Sequence, residues 1–160
     1  MIDKSLVVHY YRKCVEYRKG ADKLYDPNDD MSMCNAAFQL ALCGEFALNL
    51  LLALSGKDTV RTHNHRVLIK CCGEGGIRIP KEFRVIADDI YEFEAASRYD
   101  ASFAVDMETY KDVLFGLDKL LGVIDSYYLK PIVDDLRSKL PCSVSGLYSD
   151  YEIFTQYYII

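Results

Sequence analysis

The sequence of 160 residues lacks the local motifs of several common enzyme classes. It contains no Gly-rich phosphate-binding loop that ends in Lys and Ser or Thr, no serine-nucleophile motif and no C-x-x-C pair. Its one glycine cluster, Gly73-Glu-Gly-Gly, lacks the Lys and the strand-loop-helix setting that a phosphate-binding loop requires. These absences argue against a P-loop nucleotide hydrolase, a serine hydrolase and a C-x-x-C redox protein.

Basic residues are also fewer than acidic ones: the sequence has 19 Lys and Arg residues and 24 Asp and Glu residues, for a net charge of −5. Binding along a nucleic-acid backbone needs a concentrated basic surface, so broad nucleic-acid binding is disfavoured and only a local basic patch is allowed. The apolar share of 51% excludes intrinsic disorder and, at this length, predicts one folded domain without a disulfide or metal.

The chain has no uninterrupted apolar run of the length that a signal peptide or a membrane span needs. His9 and Arg12 interrupt the first apolar segment. The longest apolar stretch, from Cys34 to Leu54, contains polar residues such as Glu45 and Asn49, which would be costly in lipid. We therefore expect a cytoplasmic protein with reduced cysteines and no membrane contact.

Four residues with metal-binding side chains lie within ten residues of one another: His63, His65, Cys71 and Cys72. Imidazole and thiolate are the ligands that zinc prefers. However, the spacing matches no standard zinc site, and two adjacent cysteines on a helix point about 100° apart. We expect no metal and no cofactor.

Apolar periodicity predicts an all-α protein, an up-and-down bundle of about five helices over residues 1–130. The predicted helices are Leu6–Leu24, Ser32–Ser55, His65–Cys72, a helix from Pro80 to about Arg98, and a helix from Asp106 to Ile124. Asp3 is the expected cap of the first helix, and Thr62 or Asn64 that of the third. The second helix is so apolar that either a bundle or a partner subunit must surround it, and the fifth carries the clearest heptad.

Residues 131–160 form a predicted C-terminal extension that packs on the bundle or across a dimer. A short helix over Ile132–Leu140 is expected to end at Pro141. The Tyr-rich tail from Leu147 to Ile160 allows two interpretations. Ser149 and Glu152 have the spacing of a helix capping box, whereas the residues after them favour a strand.

The order of three weak motifs resembles the HEPN (higher eukaryote and prokaryote nucleotide-binding) family of helical domains. The second helix resembles the family's Ala-rich helix, in which Glu45 precedes an Ala-Leu step. Thr62-His63, with Leu68, resembles its Thr-His segment, and Ser97–Asp100 resembles its Arg-Tyr turn. The sequence departs from the family at Asp100, where Pro is more frequent, and at Asn49, where Lys is usual.

The resemblance implies a non-catalytic module that forms a homodimer and binds a protein partner, a nucleotide, or both. A small nucleotidyltransferase, as in a toxin–antitoxin pair, is the partner that the resemblance suggests. The excess apolar surface of the second and fifth helices would form the dimer. The expected ligand- or partner-binding residues are Thr62, His63, Arg66, Arg98, Tyr99 and Asp100.

Nuclease members of the family use an Arg and a His separated by four to six residues, and this spacing is absent here. The alternative is a toxin-like, metal-independent endoribonuclease with an atypical site, in which His63 or His65 transfers protons and Arg98 stabilises phosphate charge. Both predicted roles compete with structural ones. His63 could cap an exposed helix end, and Arg98 could pair with Asp100 or another carboxylate at the end of its helix.

Overall fold

The computed structural model describes residues 1–160 as an all-helical protein without strands. Its α-helices and one π-helical segment are, in chain order, α1 (Lys4–Leu24), α2 (Asp30–Leu54), α3 (His65–Glu74), α4 (Lys81–Arg84), α5 (Ala87–Tyr99), α6 (Met107–Val123), the π segment (Ile124–Leu129), α7 (Lys130–Lys139), α8 (Cys142–Ser145) and α9 (Asp150–Tyr157). The predicted all-α fold class is therefore confirmed.

Side-chain caps begin most of the long helices where the sequence predicts them. Asp3 accepts a hydrogen bond from the backbone N–H of Leu6, and Asp106 caps α6 in the same way. Asn64, rather than Thr62, caps α3. Helix α2 begins at Asp30, two residues before the predicted start, because the side chain of Asp29 caps it.

The predicted fourth helix is two helices. A tight turn, in which the N–H of Ile86 donates to the carbonyl of Phe83, separates α4 from α5. The apolar stripe that predicted this helix is nevertheless buried: Phe83, Ile86, Ile90 and Phe93 all contribute to the core. The periodicity therefore identified the buried face correctly but did not reveal the interruption.

The short helix predicted over Ile132–Leu140 is present as α7, which ends before Pro141, but the prediction that it is separate from the helix before it was wrong. The chain continues without a break from α6 through the π segment into α7. Pro131 lies at the start of α7, directly after the π segment. A wider π turn before Pro131 can relieve the clash between the proline ring and the preceding turn and the loss of its N–H. The predicted boundary between the helical bundle (residues 1–130) and the C-terminal extension (residues 131–160) lies inside this continuous helical segment.

Helix α2 is the centre of the core. Helix α1 packs along it, and α3, α5 and α6 cover other faces. It is the one helix long and apolar enough to cross a membrane, but 72% of its most apolar 18-residue window is buried by the rest of the chain. Neighbouring helices therefore account for its apolarity, which is the first of the two alternatives, a bundle or a partner subunit, that the sequence allowed.

The C-terminal tail ends in a helix rather than a strand. Ser149 and Glu152 form the capping box that begins α9. Phe154 lies between Tyr11 of α1 and Tyr158, with ring centroids 5.1 and 4.7 Å away. The extension therefore packs on the bundle, in one of the two arrangements that the sequence allowed.

Two glycines of α6 provide a matched test of how closely α4 approaches that helix. A Cβ at Gly116 would lie 2.5 Å from the carbonyl oxygen of Glu82 and 2.7 Å from Ile86 Cγ1, whereas a Cβ at Gly122 would meet nothing within 4 Å. We expect Gly116→Ala to lower the free energy of unfolding by about 1–3 kcal/mol through overpacking. Gly122→Ala should raise it by about 0.5–1 kcal/mol through helix propensity. Equal effects of the two variants in urea denaturation would contradict this packing.

Candidate functional site

An open pocket lies where α1, α2 and the loop between α2 and α3 meet. Its volume is about 410 Å³. The side chains around it include two imidazoles, a guanidinium, a carboxylate and two aromatic rings. The residues that line it are His9 and Tyr10 from α1, Glu45, Phe46 and Asn49 from α2, and Val60, Arg61, Thr62 and His63 from the loop.

Asn49 anchors the loop that forms one wall of the pocket. Its side chain donates to the carbonyl of Val60 at 3.1 Å and accepts from the Val60 N–H at 2.9 Å. Asn49 is only 4% exposed, so these two bonds satisfy polar groups that α2 would otherwise bury unpaired. Because Val60 is held in this way, the next residues, Arg61 to His63, lie beside α2. Asn49 thus has a structural role in forming this wall of the pocket.

His63 forms a hydrogen-bonded pair with Glu45. Its Nδ1 lies 2.8 Å from Glu45 Oε2, while the carboxylate side chain is only 13% exposed. Burial raises the pKa of Glu45, and the hydrogen bond and charge of His63 oppose that rise. Nδ1 donates to the carboxylate, so Nε2 is the ring nitrogen free to meet a ligand. The expectation that His63 caps a helix end was wrong, because Asn64 fills that position.

The remaining pocket residues are basic and aromatic. Arg61 and His9 line the pocket together with His63 and one carboxylate, that of Glu45. Tyr10 and Phe46 pack with ring centroids 5.7 Å apart, and the His9 ring lies 6.4 Å from that of Phe46. Sequence reasoning did not select His9 or Arg61 as site residues, because neither belongs to a motif.

Of the predicted site residues, Thr62 and His63 line the pocket, whereas Arg98, Tyr99 and Asp100 lie at the end of α5. Arg98 Nη1 lies 3.2 Å from Glu94 Oε1, and its guanidinium stacks 5.4 Å from the Phe38 ring centroid. A nearby carboxylate is therefore its partner, as one interpretation held. Asp100 instead accepts hydrogen bonds from Ser102, and Tyr99 is 81% exposed.

Arg66 and His65 are also outside the pocket. Arg66 makes a two-pronged ion pair with Asp88 on the protein surface. His65 is fully buried, and its Nε2 donates to the carbonyl of Ala41 at 2.8 Å. Burial lowers the pKa of His65 to about 4. Because its ring is neutral and inaccessible, His65 is unsuited to the proton transfer considered for it.

The arrangement can hold a small anion beside an aromatic surface. Arg61, His9 and His63 can donate hydrogen bonds to phosphate oxygens, and charge-assisted bonds of this kind are stronger than neutral ones. Tyr10 and Phe46 place aromatic rings next to these donors, and Tyr17 stacks on the Phe46 ring at 5.5 Å. No group of three or more His, Cys, Asp or Glu side chains is arranged to hold a metal ion.

Comparison with protein-family models, curated proteins and solved structures finds no match to this chain.

Buried His65 predicts a loss of stability in mild acid. Its pKa falls from 6.5 to about 4 in the folded protein, so between these values the unfolded chain binds the extra proton. The free energy of unfolding should therefore decrease as the pH falls through this window, by up to about 3 kcal/mol from this residue. We expect His65→Gln, compared with wild type by urea denaturation across that range, to show a shallower pH slope. An unchanged slope would contradict the neutral buried imidazole.

Proposed function

We propose that the chain is a non-catalytic, HEPN-like helical module that binds a nucleotide in the pocket lined by His9, Arg61 and His63. The observation that carries the proposal is the pocket itself, which places three potential cationic donors and two aromatic rings around one opening. A nucleotide has the matching chemistry, since its phosphate is an anion and its base is a flat ring that can stack.

Two further features support the HEPN-like part of the proposal. The three segments on which the resemblance rests pack around α2: Glu45 is on that helix, His63 bonds to Glu45, and Arg98 stacks on Phe38 of the same helix. The chain is also all-helical. Homodimerisation and a nucleotidyltransferase partner are implied by the resemblance alone. Any dimer would need exposed apolar side chains such as Phe115 on α6, because α2 is already covered.

Calorimetric titration with adenosine monophosphate, used as a probe nucleotide, tests the binding function. We expect saturable binding that is much weaker for adenosine, which lacks the phosphate. Arg61→Ala and His63→Ala should each weaken binding about 10- to 100-fold, the range for loss of a charge-assisted hydrogen bond. Arg84→Ala is the matched control, because Arg84 is an exposed arginine on α4 away from the pocket.

The binding proposal fails if wild-type protein shows no saturable binding of the monophosphate. It fails equally if Arg84→Ala weakens binding as much as Arg61→Ala, because the effect would then reflect net charge rather than the pocket.

A second candidate is the metal-independent endoribonuclease, and the two histidines in one pocket favour it. In such a reaction one imidazole takes the proton of a ribose 2′-hydroxyl, and the other gives a proton to the leaving 5′-oxygen. Arg61 would stabilise the charge on the phosphate in the transition state. His63 keeps the role that the sequence-based alternative gave it. His9 replaces His65 and Arg61 replaces Arg98, because His65 and Arg98 do not line the pocket.

Incubation with mixed-sequence RNA in the presence of a metal chelator distinguishes binding from cleavage. The proposed non-catalytic function predicts intact RNA for wild type, Arg61→Ala and Arg84→Ala alike. Products ending in a 2′,3′-cyclic phosphate, present for wild type and Arg84→Ala but absent for His9→Ala and His63→Ala, would establish the endoribonuclease instead. Cleavage that persists in both histidine variants would point to a contaminating nuclease and leave the non-catalytic function in place.

A further inference from the structure

Two open pockets at the loop between α3 and α4 share one lining residue, Arg78, and are here called the paired pockets. The smaller one has a volume of about 260 Å³ and the larger one about 620 Å³. The smaller pocket is lined by Ile69, Gly73, Ile77, Arg78, Ile79 and Arg84, and the larger one by Gly76, Arg78, Pro80, Val123, Tyr127 and Tyr128. Because Arg78 lines both, an extended ligand can occupy the two at once.

The paired pockets contain positive charge without a carboxylate. No Asp or Glu side chain lines either of them, whereas the His63 pocket contains Glu45 and the two pockets beside α1 contain Asp125. Other arginines pair with carboxylates, namely Arg18, Arg66, Arg98 and Arg137. None of the ion pairs in the structure involves Arg78 or Arg84. In a chain with a net charge of −5, this surface is therefore suited to an anionic partner.

Buried neighbours hold the backbone at both arginines. Ile77 and Ile79 are 6% and 5% exposed, so Arg78 lies between two core residues while its own side chain is at the surface. Arg84 directly follows Phe83, which is fully buried in the core. Guanidinium groups on a backbone that is already ordered lose less conformational freedom when they bind a ligand.

The lining of the paired pockets favours a peptide over a nucleic acid. Ile69, Ile77 and Ile79 give the smaller pocket an aliphatic surface, which suits an apolar side chain, whereas a nucleobase stacks on aromatic rings. The larger pocket adds Tyr127, which is 76% exposed, and Tyr128. Tyrosine and arginine are the residue types that often contribute most of the binding energy in protein interfaces.

We propose that the paired pockets bind an acidic segment of a partner protein. An apolar side chain of that segment enters the smaller pocket, and the carboxylates on either side of it pair with Arg78 and Arg84. A guanidinium can hold a carboxylate through two parallel hydrogen bonds, so two arginines can hold two acidic side chains. The segment continues over Tyr127 and Tyr128 in the larger pocket. The paired pockets share no lining residue with the His63 pocket, so this interaction does not depend on nucleotide binding.

Fluorescence anisotropy tests the interaction, with a labelled peptide of the sequence Glu-Asp-Leu-Glu-Asp-Phe as the probe. We expect saturable binding by the wild-type protein. Arg78→Ala and Arg84→Ala should each weaken it about 10- to 100-fold, the range for loss of a charge-assisted hydrogen bond. Arg61→Ala is the matched control, because it removes the same charge outside the paired pockets and should leave peptide binding unchanged. A peptide with Gln and Asn in place of Glu and Asp should not bind, and replacement of its Leu by Ser should weaken binding.

The inference is overturned if the acidic peptide shows no saturable binding, or if Arg61→Ala weakens binding as much as Arg78→Ala, because net charge would then be the cause. Binding of a single-stranded uridine oligonucleotide that depends on Arg78, without binding of the peptide, would also reject it and would identify a nucleic-acid site. Arg78 and Arg84 are exposed, so both alanine variants should fold. The two proposals stay distinguishable, since Arg61→Ala should affect only the monophosphate and Arg84→Ala only the peptide.

Discussion

The burial of α2 within its own chain is the constraint on which the rest of the structure depends. A helix with this many buried leucines and alanines must be covered on nearly every face, and α1, α3, α5 and α6 provide that cover. Burial of apolar surface contributes roughly 25 cal/mol per Å², so these contacts dominate the stability of the bundle. Because α2 is covered in this way, its neighbours approach it closely. At Gly44, Ile90 and His65 leave no room for a Cβ.

The same burial forces the few polar groups of α2 to find partners, and those partners create the pocket. Asn49 bonds to both backbone groups of Val60, and Glu45 bonds to His63. Each of these bonds joins α2 to the loop before α3. The polar side of α2 therefore lines the open pocket that this loop forms with α1 and α2. Stability and the candidate function are thus linked through the same side chains, and a substitution at Asn49 would affect both.

Much of the fold could be predicted from local patterns. The spacing of apolar residues identified α1, α2 and α6 and the buried face of α5, and side-chain chemistry identified the caps at Asp3 and Asp106. The break between α4 and α5 could not be predicted in this way, because the apolar stripe continues across it. The π segment could not be predicted either, because the apolar stripe of α6 stops at Ile124 and Pro131 favours a new helix start. Only some of the residues that line the candidate site could be predicted. Thr62 and His63 stood out through the resemblance, whereas His9 and Arg61 belong to no motif and reach the pocket only through packing.

The sequence by itself determined the all-α fold class. The 3.6-residue spacing of apolar side chains is a local property of each segment and does not depend on which elements pack together. It also determined that α2 would be buried, since so apolar a helix cannot remain in water. Only the tertiary structure decided what buries it, which histidine is neutral in the core and which faces a pocket. His63 and His65 are two residues apart and meet opposite environments. Residues at that separation point to different sides of a helix start, and only the positions of α2 and α5 determine which side is solvent.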